Sequence, residues 1–156
     1  MTCTILSAGD ELRSNCKNED EQPMLGARNR VMTLVQALIA QGYDSFYVNC
    51  EYGVPLWAAE FIIMLKKLNR IELHAVIPYE EQTTDWSEEL RDRYFAVHEL
   101  ADSVEMACTQ YQEECYKIAE QRMIDVCDLL VICGSLPEAA AYAKSYGTEV
   151  RTVNLV

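Results

Sequence analysis

Basic residues are scarce in this chain, and their scarcity limits the partners that its surface suits. Lysine and arginine together number 13 against 25 aspartates and glutamates, which gives a formal net charge of −12. Such a charge repels nucleic-acid backbones and anionic membranes. We therefore expect no nucleic-acid partner and no membrane partner. A small anionic ligand stays compatible with the charge, because helix N-termini bind phosphate locally through backbone N–H groups.

Long apolar runs are missing as well. Hydrophobic residues make up 50% of the chain, yet no run approaches the roughly 20 residues that span a bilayer. The opening "MTCTILSAGDE" has no basic lead, so we expect a cytoplasmic protein. The seven cysteines are odd in number and fall mostly in apolar runs, which favours free thiols in a reducing compartment. No C-x-x-C pair is present, so the sequence indicates no metal site.

Glycine-rich loops are the third absence. The chain has only six glycines, scattered one at a time, and none forms a glycine-rich phosphate loop. No internal repeat and no low-complexity tract is present, so no repeat architecture is indicated. A length of 156 residues suits one domain, and we assign residues 1–156 to a single unit. No cofactor can be named from the sequence.

Apolar runs alternate with helical patterns along the chain. Helical spacing is clearest at Val31, Leu34, Val35, Leu38 and Ile39, with Gly42 as the stop. A second helix is predicted from Pro55, with Ala58, Phe61, Ile62, Leu65 and Leu68 on one apolar stripe. Further helices are predicted over 86–100, over about 115–126 and over 137–146. Six runs read as strands: "CTILSAG" at 3–9, "FYVNC" at 46–50, "IELHAVIP" at 71–78, "SVEMAC" at 103–108, "LLVICG" at 129–134 and "EVRTVNLV" at 149–156.

This alternation predicts an α/β protein of the Rossmann-like type. Parallel strands need crossover helices, so we expect one doubly wound, mostly parallel sheet of about six strands with helices on both faces. The strand at 103–108 extends the sheet beyond the third strand, giving the order 4-3-2-1-5-6, or lies elsewhere. Ligands in such folds bind outside the carboxyl ends of the strands. Gly9, Gly53 and Gly134 each end a predicted strand, so we expect them at that edge.

The stretch "FYVNCEYGVPLWAAEF" at 46–61 contains one such strand end, and each of its notable residues allows a ligand-binding role or a structural one. Gly53 and Pro55 form a strand-to-helix turn whose free N–H groups suit an anion, or they merely end a strand and begin a helix. Trp57 either stacks on a base or wedges under a neighbouring loop. Glu60 either accepts hydrogen bonds from ribose hydroxyls or lies on a solvated face with Lys67.

Longer strings carry a family resemblance. "GVPLWAAE" at 53–60, "IPYEEQ" at 77–82 followed by a Trp, and the "Y…MID…D" run ending at Asp128 resemble the YpsA-like family of the SLOG superfamily. The resemblance covers roughly residues 46–134. It implies a Rossmann-like fold and a role in sensing or processing nucleotide-derived ligands such as NAD or ADP-ribose.

Several positions depart from the family pattern. Asn49-Cys50 stands where relatives tend to have Ser-Gly, and Pro55 where they tend to have an acidic residue. Ala119-Glu120 replaces a basic residue followed by Asn. The loss of basic residues weakens the case for a pyrophosphate ligand, because charge-assisted contacts are the stronger ones.

Together, the strand ends and the resemblance define a set of candidate ligand-binding residues and no catalytic residue. We expect a small ligand-binding protein for a nucleotide or nucleotide-derived molecule. One alternative is a nucleosidase or phosphoribohydrolase that uses Glu60 on an N-glycosidic bond, although the double-glycine turn of the LOG-type enzymes is absent. Another is a degenerate member that acts through a protein partner. The candidate residues are Gly9, Asp10, Gly53, Trp57, Glu60, Tyr111, Gly134 and Ser135.

Overall fold

Strands and helices alternate throughout the computed structural model, which describes residues 1–9 and 18–155. Asp10, one of the candidate residues, lies outside the described residues. No helix in the described ranges is long and apolar enough to cross a bilayer. In chain order the elements are β1 (Thr2–Ser7), α1 (Met24–Ala40), β2 (Ser45–Val48), α2 (Val54–Leu65), β3 (Glu72–Tyr79), α3 (Glu88–Leu100), β4 (Ser103–Cys108), α4 (Cys115–Asp125), β5 (Leu129–Cys133), α5 (Pro137–Ser145) and β6 (Glu149–Val153).

The strands form one sheet in the order β4-β3-β2-β1-β5-β6. Every neighbouring pair is parallel. This confirms the predicted α/β architecture, and the strand at 103–108 does lie beyond the third strand. Successive strands run outward from β1 in both directions, so the order switches between β1 and β5. A switch of this kind opens a crevice at the carboxyl edge of the sheet.

Helices cover both faces of the sheet. The larger core cluster joins α1, α2 and α3 to one face, and a smaller one joins α4 and α5 to the other. The predicted apolar face of α1 is confirmed, since Val31, Val35 and Leu38 are buried against the sheet. Gly42, with a φ of 96°, ends that helix as predicted.

Helix α2 differs from its predicted amphipathic pattern. The sequence placed Leu68 on its buried stripe, but the helix ends at Leu65 and Leu68 is 89% exposed. Instead, every residue of the first turns from Val54 to Ala59 is buried. The reason is position: α2 packs between α1 and α3 as well as on the sheet. A helix enclosed on several sides buries more than one stripe.

His98 of α3 is half-buried, and its buried Nε2 has no hydrogen-bond partner among the described residues. Its ring lies 4.1 Å from the ring of Tyr94 and 6.0 Å from that of Phe95, between centroids. Burial lowers the pKa of His98, because the charged imidazolium loses its hydration there. The folded protein therefore resists protonation at this position.

Because of His98, we predict that the folded protein loses stability on mild acidification. The unfolded chain takes up the proton near the ordinary histidine value of about 6.5, while the folded chain takes it up only at lower pH. The free energy of unfolding should therefore fall as the pH drops below about 6.5 and level off below the lowered pKa. Denaturant titrations across pH should show a smaller fall for His98→Phe. An unchanged profile in His98→Phe would contradict the assignment.

Candidate functional site

Gly9, Gly53 and Gly134 lie at one edge of the sheet. They follow β1, β2 and β5, and these strands are parallel, so the three glycines share the carboxyl edge as predicted. We call these residues, with Ser135, the glycine edge. Gly9 is half-buried, whereas Gly134 and Ser135 are exposed. The edge is thus open to solvent on its β1 and β5 side.

Position 134 requires glycine because of its backbone conformation and because Ala8 lies close to it. Its φ is 98°, and a Cβ added there would meet the Cβ of Ala8 at 3.2 Å. Backbone hydrogen bonds run from Ala8 N–H to the carbonyl of Cys133 at 3.1 Å and from Gly134 N–H to the carbonyl of Val153 at 3.1 Å. The ends of β1 and β5 therefore approach each other closely, and a side chain at Gly134 would push them apart.

The turn at Gly53 is less open than the sequence suggested. Gly53 has a φ of 101° and a ψ of −135°, a combination essentially restricted to glycine. The N–H of Leu56 donates to the carbonyl of Glu51 at 3.0 Å, and that of Trp57 donates to the carbonyl of Gly53 at 2.9 Å. Pro55 has no N–H. The turn therefore uses two of its N–H groups internally and does not keep them available for a ligand.

Trp57 is packed beneath a loop. It is fully buried, and its indole Nε1–H donates to Oε1 of Glu19 at 2.9 Å. Glu19 belongs to the acidic loop segment that precedes α1. Of the two predicted roles, the structure has the wedge under a neighbouring loop. The indole is not available for stacking on a base in this conformation.

Arg93 of α3 binds two carboxylates at once. Its Nε donates to Oε1 of Glu60 at 2.7 Å and its Nη2 donates to Oε2 of Glu60 at 2.8 Å, which makes the pair bidentate. Its Nη1 donates to Oε2 of Glu19 at 2.9 Å. Glu60 thus faces neither open solvent nor Lys67, because its carboxylate is taken up by a guanidinium.

The pKa values at this network follow from its contacts. Hydrogen bonding to Glu60 is the main reason that the pKa of Arg93 is raised above its already high value. Burial opposes ionisation of Glu19, but hydrogen bonds from Trp57 and Arg93 outweigh it and lower the pKa of that carboxyl. Glu19 and Arg93 are therefore ionised at neutral pH.

A polar hollow of about 420 Å³ opens above this network. It lies between the loop before α1, the end of β2 and the first turns of α3. Arg28 of α1 lies at its side, with the guanidinium 3.8 Å from Glu19 and 5.9 Å from the centre of the Phe61 ring. The residues that line the polar hollow are Asn18, Glu19, Asp20, Arg28, Tyr52, Ser87, Glu89, Leu90 and Arg93.

Carboxylates collect at the glycine edge. A Cβ at Gly9 would lie 3.6 Å from Oε1 of Glu51. Burial, together with the charges of Glu51 and Glu138, raises the pKa of Glu120. Negative charge therefore lies beside Gly9, and the guanidinium groups of Arg28 and Arg93 line the polar hollow together with Glu19, Asp20 and Glu89.

Tyr111 lies away from the glycines, at the end of β4. It is 66% exposed, and its ring meets that of Tyr79 at a centroid distance of 5.2 Å. The Tyr79 ring also lies 6.2 Å from that of Tyr116. Tyr111 is thus part of a tyrosine cluster beyond β3 and β4 rather than a neighbour of Gly9 or Gly134, because β4 is the far strand of the sheet.

Sequence reasoning missed Glu19, Arg28 and Arg93 as members of the edge. One signal was present for Arg93: it lies three residues after Leu90 and four before Val97, on the border of the buried stripe of α3. No comparable pattern marks Glu19 or Arg28. Among residues 1–9 and 18–155, no group of three or more metal-ligating side chains is positioned to hold a metal ion.

A family model agrees with this architecture. The model described as the YspA SLOG family, named YpsA, matches residues 16–141, which is well over half of the chain. The chain belongs to the YpsA family of the SLOG proteins. This confirms the resemblance seen in the sequence and extends it toward both termini.

Curated relatives are UPF0398 proteins of bacteria. A UPF0398 protein of Halalkalibacterium halodurans is 39% identical over 72 residues, covering 46% of this chain and 38% of the relative. One from Staphylococcus epidermidis is 25% identical over 121 residues, covering 76% of this chain and 64% of the relative. The chain thus covers less than two thirds of the length of each of these relatives.

One solved structure shares the fold and corrects an expectation. DNA processing protein A from Helicobacter pylori matches with a TM-score of 0.62 at 12% identity, over 97% of this chain and 64% of that chain. That protein is described as binding single-stranded DNA. The prediction that excluded nucleic acid as a partner is therefore wrong. A net charge is a sum over the whole surface, and it does not fix the potential at one edge.

From the Arg93 network we predict that replacing Arg93 lowers the free energy of unfolding more than replacing an arginine in an exposed ion pair. Arg93→Met leaves the carboxylates of Glu60 and Glu19 half-buried without their partner, and we expect a loss of about 2–3 kcal/mol in the free energy of unfolding. The deficit should shrink as the pH falls below the ordinary glutamate value of about 4.5, since protonation removes the charge that Arg93 pairs with. Urea denaturation at several pH values measures both.

The control is an arginine in an exposed ion pair. Arg122 of α4 donates to Glu105 at 2.8 Å, and its side chain is 43% exposed. Arg122→Met should cost no more than about 1 kcal/mol. Equal losses in the two variants would show that the Arg93 network contributes no more than a surface pair.

Proposed function

We propose that this protein binds a nucleotide or a nucleotide-derived molecule such as NAD or ADP-ribose, as a small sensor-like binding protein. The observation that carries the proposal is the polar hollow of about 420 Å³ beside the Gly53 turn. It opens at the carboxyl edge, where parallel α/β sheets bind their ligands. Its volume falls in the usual range of small-molecule sites, about 300–1,000 Å³. Membership of a SLOG family supports a nucleotide-related role.

Arg28 supplies the charge that a phosphate group requires. Arg28 forms an ion pair with Glu19 at 3.8 Å, a distance too long for a hydrogen bond. Its side chain is 32% exposed at the hollow, so an anion can approach its N–H groups. The first turn of α3, where helix-dipole charge is positive, lines the same hollow. Arg93 is already neutralised by Glu60, so Arg28 is the proposed phosphate contact.

The glycine edge is the proposed place of the remaining ligand atoms. Gly9, Gly134 and Ser135 offer close backbone approach, and Asp10 follows Gly9 in sequence. Carboxylates such as Glu51 accept hydrogen bonds from ribose hydroxyls. In this arrangement Gly53, Trp57 and Glu60 act as the support that orients Glu19 and Arg93, rather than as direct contacts. Tyr111 is proposed only for a ligand long enough to reach the end of β4.

A binding role is favoured over hydrolysis by the state of Glu60. A general acid or base acts through a free carboxyl whose pKa lies near the working pH. Glu60 instead holds a bidentate pair with Arg93, so both of its carboxylate oxygens are already occupied. We therefore propose no catalytic step for it.

Single-stranded DNA is a second candidate ligand. It is favoured by the shared fold with a protein described as binding single-stranded DNA. A short strand would present phosphates and bases to the polar hollow as a free nucleotide does, but its deoxyribose lacks the hydroxyls proposed to meet Glu51. The two candidates are separated by whether one nucleotide is enough or a strand is needed.

A thermal-shift screen tests the proposal. The panel contains NAD, ADP-ribose, mononucleotides and a short single-stranded oligonucleotide. A ligand at about one hundred times its dissociation constant adds roughly 2.7 kcal/mol of stability. Arg28→Gln should weaken the ligand found by about tenfold, or 1.4 kcal/mol, because one charge-assisted contact is lost.

Arg122→Gln is the matched control, since it removes an arginine charge on the opposite face of the sheet. It should bind like the parent protein. Absence of any shift across the panel would overturn the proposed function, and equal weakening by both substitutions would overturn the assignment of Arg28. Stabilisation by the oligonucleotide alone would favour the second candidate.

A further inference from the structure

The starts of β3 and β4 bring a serine, a histidine and a glutamate together. Tyr47 and Ser103 are the register partners of His74 in the β2–β3 and β3–β4 ladders. Register partners in neighbouring strands point to the same face of a sheet, and so does Glu72, two residues before His74 on β3. Glu72 and Ser103 are the first residues of their strands. The group therefore lies at the amino edge of the sheet, opposite to the polar hollow.

Both ring nitrogens of His74 have a hydrogen-bond partner. Nδ1 lies 2.7 Å from Oγ of Ser103, and Nε2 lies 3.1 Å from Oε2 of Glu72. A carboxylate only accepts hydrogen bonds, so in the neutral imidazole the ring proton is on Nε2 and points to Glu72. Nδ1 then keeps its lone pair and accepts the hydroxyl proton of Ser103. The three side chains thus form a hydrogen-bonded chain from the hydroxyl to the carboxylate.

The imidazole is held in place, and the hydroxyl is open to solvent. The ring of Tyr47 stacks on that of His74 with a centroid distance of 4.7 Å and an interplanar angle of 24°. The His74 side chain is only 16% exposed, whereas Ser103 is exposed on β4, the edge strand of the sheet. A base that is oriented by a third group and bonded to an accessible hydroxyl is the arrangement that activates a serine.

We propose that Ser103 is a nucleophilic serine, with His74 as its general base and Glu72 as the positioning residue that orients His74. In serine hydrolases the serine meets Nε2 of the histidine and the carboxylate meets Nδ1. Here the two nitrogens are exchanged, which leaves the order of proton transfer unchanged. The site lies at the opposite edge of the sheet from the polar hollow, so the inference does not rest on the proposed function.

The reaction is the hydrolysis of a small activated ester. Oγ of Ser103 attacks the carbonyl carbon while its proton passes to Nδ1 of His74. The bond from that carbon to the leaving oxygen breaks, and the alcohol or phenol departs with the proton from Nδ1. Water then attacks the acyl-serine by the same proton path and releases the acid. Because Ser103 lies on an open strand edge, little of the substrate is bound, which limits the class to esters with a good leaving group.

A fluorophosphonate probe tests the nucleophile. Such a probe transfers its phosphonyl group to an activated serine and releases fluoride. Incubated with the full chain, it should add a single phosphonyl group, and peptide mapping should place that group on Ser103. Ser145 is the internal reference, because it is also exposed but its hydroxyl donates to the carbonyl of Tyr142 at 2.7 Å rather than to a base. Labelling of Ser103 that is no faster than labelling of Ser145 would overturn the proposal.

Substitutions test the base and the carboxylate that orients it. His74→Gln removes the base and should slow the labelling of Ser103 at least about a hundredfold. Glu72→Gln should also slow it, whereas Glu72→Asp keeps a carboxylate and should retain most of the rate. Hydrolysis of an aryl acetate should fall at least about tenfold in Ser103→Ala. Far-ultraviolet circular dichroism checks that each variant is folded. An unchanged labelling rate in His74→Gln, or an unchanged hydrolysis rate in Ser103→Ala, would overturn the proposal, and equal rates in the two Glu72 variants would overturn the role of Glu72.

Discussion

The carboxyl edge of this protein depends on the guanidinium of Arg93. It joins α3 to α2 through Glu60 and to the loop before α1 through Glu19, residues that are 33 and 74 positions away in the chain. Glu19 in turn receives the indole N–H of Trp57. Two carboxylates this close would repel each other without the cation between them. The wall of the polar hollow and the burial of Trp57 therefore follow from one side chain.

Charge of both signs lies at the carboxyl edge, and the polar hollow itself is lined by Glu19, Asp20 and Glu89 as well as by arginines. The carboxylate of Glu51 lies beside Gly9, and the guanidinium groups of Arg28 and Arg93 lie in the hollow. The sequence suggested that basic residues had been lost from the edge. The structure supplies others from α1 and α3. A ligand with an anionic end and a hydroxyl-rich end would match both kinds of group, which is the chemistry of a nucleotide.

The fold was predictable from local sequence patterns, whereas the side chains that meet at the carboxyl edge were not. Strand and helix periodicity gave the alternation, and the single glycines at 9, 53 and 134 marked strand ends, because parallel strands must terminate on the same side. Pairing between distant side chains leaves no periodic signal, so Glu19 and Arg28 could not be found. Net charge excluded nucleic acid wrongly, since it averages over positions that lie far apart. The burial of α2 on several sides could not be predicted from its own sequence either, because it depends on which helices pack beside it.

The two tryptophans provide an intrinsic fluorescence probe of the polar hollow. The chain has only two. Trp57 donates to Glu19 in the wall of the hollow, and the ring of Trp86 lies 6.2 Å from that of Tyr52, which lines the same hollow. Indole emission responds to a nearby carboxylate and to the polarity around the ring. Intrinsic fluorescence therefore reports on a single region of the molecule, and ligand titrations can be followed without a label.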